Sequence, residues 1–215
     1  AQVIVHGRNG PRLRELAAEF SGQAVVGDLT AVHAAEDLAA AAGPVDVLVH
    51  CAGLGWKGPV AEIADAEVAA IFAVNVLAPI ALTRLMVPYM DKNGQGHVSF
   101  VGSIAGLTGV AEEAVYSASK AALLTFADSV RLEYAGTGVE VSTVSPGAVA
   151  TGFLTSNGYR RRIPRPLEPE RVAAEVLRAI ESGGGSRVLP RWLRLAPLVR
   201  AAAPNTYHAL AHRFG

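Results

Sequence analysis

The sequence of 215 residues contains one cysteine, Cys51, which excludes an intrachain disulfide framework and a multi-cysteine metal site. A single thiol fits a reducing compartment, so a cytoplasmic location is expected. Aromatic residues are scarce, with 2 Trp and 6 Phe, so a core of closely packed small residues is expected from the abundant Ala, Val, Leu and Gly. No window holds eighteen uninterrupted apolar residues, so neither a spanning helix nor integral membrane association is expected. No secretory signal is expected ahead of the first strand pattern. The formal net charge is +0, which argues against a general affinity for nucleic acid. That zero conceals a gradient. Residues 1–157 carry 8 Lys/Arg and 15 Asp/Glu, and residues 158–215 carry 11 Arg and 4 Glu. The basic end suits acidic surface in its own or a neighbouring protomer, or an anionic ligand.

What is present is an alternation. Apolar strand patterns stand at 2–6, 24–26, 45–50, 97–101, 139–144 and 186–189. Helical spacing fills 12–20, 31–42, 62–90, 115–134 and 170–182, with a bend expected at Pro79. Nearly continuous apolar strands separated by helices of ten or more residues indicate an α/β fold, a doubly wound and mostly parallel sheet with helices on both faces. About half of the residues are apolar, which suits a single domain spanning 1–215. Gly183-Gly-Gly185 reads as a turn within it.

The run Tyr116-Ser-Ala-Ser-Lys120 carries the chemistry. Tyr116 and Lys120 are four apart at a helix start, so they share one face. An ammonium near a phenol favours phenolate, and a tyrosine whose reference pKa is about 10 needs such help to exchange a proton. Ser103 follows a strand, where loops at strand C-terminal ends build active sites. Its hydroxyl can hydrogen-bond a substrate oxygen as charge develops there. Asn75 lies inside a predicted helix, an unfavourable place for that side chain, which asks for a structural or relay role.

These residues, in this order, make the chain resemble a short-chain dehydrogenase/reductase of the single-domain branch, over residues 1 to about 190. The resemblance implies that Tyr116 is the acid/base, that Lys120 lowers its pKa and holds the nicotinamide ribose, that Ser103 positions the substrate oxygen, and that Asn75 holds a relay water. It also implies cofactor contacts from Asp28 and Leu29 in Gly-Asp-Leu-Thr, from Ala52 and Gly53, and from Pro146, Gly147 and Thr151 beside the nicotinamide. His50 and Cys51 replace the family's two asparagines. His50 is expected as a packed strand-end residue and Cys51 as a small buried group. The strand end His6-Gly7-Arg8-Asn9 has no acid, and Arg8 suits a 2′-phosphate, so NADP(H) is the expected cofactor. No metal site is expected.

The family's first strand, Thr-Gly-x-x-x-Gly-x-Gly turn and first helix are not within these residues. That strand belongs between the second and fourth in the usual order, and without it the sheet is expected to split. An N-terminal stretch of roughly 25–30 residues ahead of Ala1 is the expectation. Residues 152–166 are expected to form a substrate lid, and 190–215 a cap over the site or an oligomer tail. Homodimers or homotetramers through the two long helices are implied by the resemblance. The leading functional expectation is NADP(H)-dependent interconversion of a carbonyl and a secondary alcohol. The alternatives are a non-catalytic, cofactor-free subunit and an NAD-dependent dehydrogenase.

Overall fold

A computed structural model describes residues 1–156, 165–207 and 209. Among them, β1 (Ile4–Gly7) and β2 (Gln23–Val26) form one parallel pair, while β3 (Val47–His50), β4 (Gly96–Val101), β5 (Val139–Pro146) and β6 (Gly185–Leu189) form a parallel sheet in that order. Between them come α1 (Gly10–Glu19), α2 (Ala34–Ala42), α3 (Asp65–Phe72), α4 (Ala78–Asn93), the short α5 (Ile104–Leu107), α6 (Ala114–Glu133), α7 (Gly152–Ser156) and α8 (Pro169–Glu181). These elements match the strands and helices expected from the apolar patterning.

Helices cover both faces of the larger sheet. Val98, Phe100 and Val141 pack with Val87 and Met90 of α4 and with Leu123, Ala127 and Val130 of α6. Val144 is three residues beyond Val141, so its side chain points to the opposite face. There it packs with Val172, Val176 and Ala179 of α8 and with Leu189. A third cluster joins Ala35 of α2 to Leu82 and Met86 of α4.

The sheet is divided, as the sequence led us to expect. No ladder joins β1 to β3. On the open β3 edge Val47 and Val49 are 44% and 42% exposed, high values for valines in a strand. Within the helical run from Asp65 to Asn93 the most apolar window has mean hydropathy 1.9, but more than half of that window is buried in the fold, as in a core helix. Its irregularity lies at Ala73–Leu77, a π-helical turn, just before Pro79 in the first turn of α4. Pro79 has no N–H to give the carbonyl four residues back, which is that of Asn75. The Ala78 N–H bonds instead to Ala73 O, five residues back.

Candidate active site

The end of β4 and the start of α6 build the site. Ser103 leaves β4 in an extended conformation and caps α5, its Oγ accepting a hydrogen bond from the Ala105 N–H at 3.1 Å. This short helix presses against α6 at Gly106, where a Cβ would stand 2.6 Å from the Lys120 carbonyl carbon. Only glycine permits that approach, which holds Ser103 beside the Tyr116 face. Tyr116 and Lys120 occupy the first two turns of α6, and both are buried. Lys120 Nζ donates to Val101 O at 2.9 Å and lies 6.0 Å from the Tyr116 ring centroid. The Phe153 ring tilts against Tyr116 at 5.6 Å.

Burial dominates the electrostatics. It pushes the Tyr116 phenol up to about 12, although the Ser103 hydroxyl pulls it down; the Glu113 carboxylate raises it further. Burial also takes the Lys120 ammonium down to about 8, with Cys51 acting in the opposite sense. Lys120 is not among the groups that shift the phenol, so the expected lowering by its ammonium does not stand out beside burial. Desolvation penalises both charged forms. The pair stands as a neutral phenol beside an ammonium, which is poised to donate a proton.

Asn75 sits in the π turn and is fully buried. Its Oδ1 accepts from the Leu54 N–H at 2.8 Å, and its Nδ2 donates to Leu54 O at 2.8 Å and to Ser119 Oγ at 2.9 Å. Ser119 Oγ in turn donates to Tyr116 O at 2.7 Å. The side chain is thus occupied in tying the loop after β3 to the Tyr116 turn. Its main-chain carbonyl is left by Pro79 without an α-helical donor.

Two cavities meet at Gly53. One, of about 620 Å³, is lined by Ser103, Tyr116, Lys120, Pro146, Gly147 and Thr151, with an apolar wall that includes Ile104, Val110, Val149, Phe153 and Val176. The other, of about 270 Å³, is lined by Arg8, Asp28, Leu29, Ala52 and Gly53. Arg8 Nη1 lies 3.9 Å from Asp28 Oδ2, and Asp28 Oδ1 accepts from the Thr30 N–H and Oγ1 at 2.9 Å each. Those Thr30 hydrogen bonds, more than the Arg8 charge, hold the Asp28 carboxyl below its ordinary range. A methyl on Gly53 would stand 3.5 Å from Lys120 Nζ and from Asn75 Oδ1, filling the passage. The residues therefore fit an elongated ligand with a cation at each end and a glycine between, as a dinucleotide requires. Every site residue expected from the sequence except Asn75 lines one of these cavities, and Asn75 backs the passage between them.

The profile described as short chain dehydrogenase matches residues 1–161. The chain belongs to the short-chain dehydrogenase family. Among its relatives, the ketoacyl reductase HetN of Nostoc sp. is 41% identical over 145 residues, covering 65% of this chain and 50% of that protein. Dehydrogenase/reductase SDR family member 7B of Xenopus laevis is 29% identical, covering 98% of this chain and 73% of that protein. The match thus spans half the length of the Nostoc relative. A short-chain dehydrogenase from Sphingobium yanoikuyae in complex with NADPH superposes with a TM-score of 0.82 at 21% identity, covering 95% of this chain and 86% of that one, and shows the shared fold. One from Burkholderia cenocepacia in complex with NADP reaches 0.76 at 25% identity, covering 98% and 97%.

Within this short-chain dehydrogenase, two positions depart from expectation or escaped it. Cys51 is exposed and lines the larger cavity, not buried as expected. Glu113 escaped notice since a glutamate before a helix reads as a solvated cap; here it is buried in the wall of the larger cavity. Its carboxylate makes no capping bond to α6. His50 is packed, as expected, and bonds Thr83 Oγ1 through Nε2 at 3.0 Å while stacking on Phe100. Of the expected lid, residues 152–156 and 165–166 are described, and 157–164 lie outside the described residues.

Proposed function

We propose that this short-chain dehydrogenase interconverts a carbonyl and a secondary alcohol with NADP(H), using Tyr116 as the acid/base. The observation that carries the reading is the convergence of Ser103, Tyr116 and Lys120 on one cavity that opens past Gly53 to Arg8. When bound, the nicotinamide supplies or accepts the hydride. Ser103 Oγ and the Tyr116 hydroxyl fix the substrate oxygen, and the phenol, neutral up to about 12, gives it a proton during reduction. Lys120 holds positive charge behind the phenol and restores its proton through the Asn75 carbonyl and water. Arg8 favours the 2′-phosphate of NADP(H), and Asp28 turns toward the adenine. The apolar wall suits a carbonyl carried on a hydrophobic body. The relative named a ketoacyl reductase and the neighbours holding NADPH or NADP support this reading.

The test is NADPH oxidation against a panel of apolar ketones. Tyr116→Phe is expected to lower kcat by about 10²- to 10⁴-fold, the usual contribution of a positioned acid. Full turnover by that variant would remove Tyr116 from the mechanism. Arg8→Ala is expected to raise KM for NADPH about tenfold or more while leaving NADH unchanged, because it loses a charge-assisted contact. A second reading is a non-catalytic and cofactor-free protein. Saturable NADPH binding, followed by nicotinamide fluorescence, excludes that reading.

A further inference from the structure

Beyond β6 the chain carries its charge in an unusual way. After Glu181 the remaining 34 residues contain no Asp or Glu, but they contain Arg187, Arg191, Arg194, Arg200 and Arg213. Arg191–Leu195 forms a 3₁₀ turn that continues directly into α9 (Ala196–Ala202). Trp192, Leu195, Leu198, Val199 and Ala202 recur every three to four residues, which places them on one stripe. That stripe faces outward. Trp192 is 56%, Leu195 53% and Leu198 63% exposed, while Leu193, on the other side, is buried. Arg191 and Arg194 are exposed beside the stripe, while Arg200 lies on the side of Leu193 and turns to the body.

The element is not a fraying end. Arg200 Nη1 donates to Leu107 O at 3.4 Å, and the Tyr207 hydroxyl donates to Gly109 O at 3.2 Å. Both carbonyls belong to the segment after Ser103, which also supplies Ile104, Ala105 and Val110 to the cavity wall. The tail therefore braces the site from the side, while its apolar stripe points away.

We propose that the Arg191–Ala202 helix seats this protein peripherally on an anionic lipid surface. Trp and Leu on one stripe with arginines beside it is the composition of an in-plane interfacial helix. The arginine stems can lie along the apolar boundary while their guanidinium groups reach lipid phosphates. A second copy is the poorer occupant. A two-fold interface would set this patch against itself, bringing arginines together with no acid from the same stretch to neutralise them. The seat would place lipid one segment away from an apolar substrate cavity, and no helix need enter the bilayer.

The experiment is co-sedimentation of the full chain with vesicles of phosphatidylcholine alone and of phosphatidylcholine with 30% phosphatidylserine, roughly the kind of charge presented by an anionic leaflet. Binding to the anionic vesicles is expected to be at least about tenfold stronger and to weaken with added salt. Leu195→Ser with Leu198→Ser, and separately Arg194→Glu, should each reduce it about tenfold while the circular dichroism and vesicle-free activity stay unchanged. Trp192 emission should shift to the blue on binding, and Trp192→Phe should remove the shift. Failure to sediment with anionic vesicles overturns the proposal. So does retention of binding in both sets of variants. A wild-type dimer that Leu198→Ser dissociates would instead make this face an interface between copies, and would also overturn it.

Discussion

Tyr116 and Lys120 titrate in an order that can be read from a rate profile. The phenol stays protonated up to about 12, whereas Lys120 loses its proton near 8. The reduction rate should therefore hold below pH 8 and fall above it as the ammonium is lost, with the phenol still intact. Lys120→Arg, whose charge persists to far higher pH, should remove that alkaline limb even though its overall rate is lower. Initial rates of ketone reduction between pH 6 and 10 decide it; an unchanged limb in Lys120→Arg would assign it elsewhere. His50 sets a second profile, in stability. Burial takes its pKa from 6.5 down to about 3, so the folded state keeps the ring neutral while the unfolded chain takes up a proton below 6.5. The unfolded state then binds more protons, and stability falls as the pH drops from 6.5 toward 3. The full shift corresponds to an upper limit of about 5 kcal/mol. Thermal unfolding of His50→Asn should show a shallower loss of Tm over that window. The Tyr-x-x-x-Lys pair, Ser103 and the cavity-lining Gly53 were legible in the sequence because each rests on spacing or on an element boundary. The buried Glu113 and the exposed Cys51 were not, since both depend on which neighbours the completed fold puts beside them.

At the scale of the element, the helical run across Asp65–Asn93 shows what periodicity misses. Apolar spacing revealed a long helix and Pro79 marked a disturbance, but a proline does not say whether a helix will kink, end or widen. Here it widens into a π turn one residue after α3 ends, and that turn carries Asn75. Asn75 read as a relay residue, yet its side chain is spent on Leu54 and Ser119, leaving the main chain for the proposed relay. Pro79→Ala would return an N–H to the carbonyl of Asn75. The variant should unfold at the same or a higher temperature, since a proline constraint inside a helix is removed. Its kcat should fall on the order of tenfold with KM for the ketone unchanged, because a proton path and not a binding contact is blocked. A parallel rise in KM would point to a displaced site instead.

For the whole molecule, the alternation of apolar strands and helices was enough to indicate a parallel, doubly covered sheet, because buried strands and amphipathic helices leave different periods in the sequence. The division between β1 and β3 was implied by the family resemblance instead. Uneven burial also has a consequence for cooperativity. Of the β1–α1–β2 unit, only Gly10, Leu13 and Ala17 are buried, against a dense cluster behind β4 and β5. So thinly buried a unit holds less protection than that cluster, so the smaller of the two should unfold sub-globally. Hydrogen exchange is expected to show amides of β1 and β2 released at a free energy well below those of Val98 to Phe100. A dinucleotide reaching from Arg8 to Lys120 would bind only when both units are closed. At a hundredfold excess over its Kd it would add about 2.7 kcal/mol to the smaller unit's protection, making the ligand the tie that turns two foldons into one.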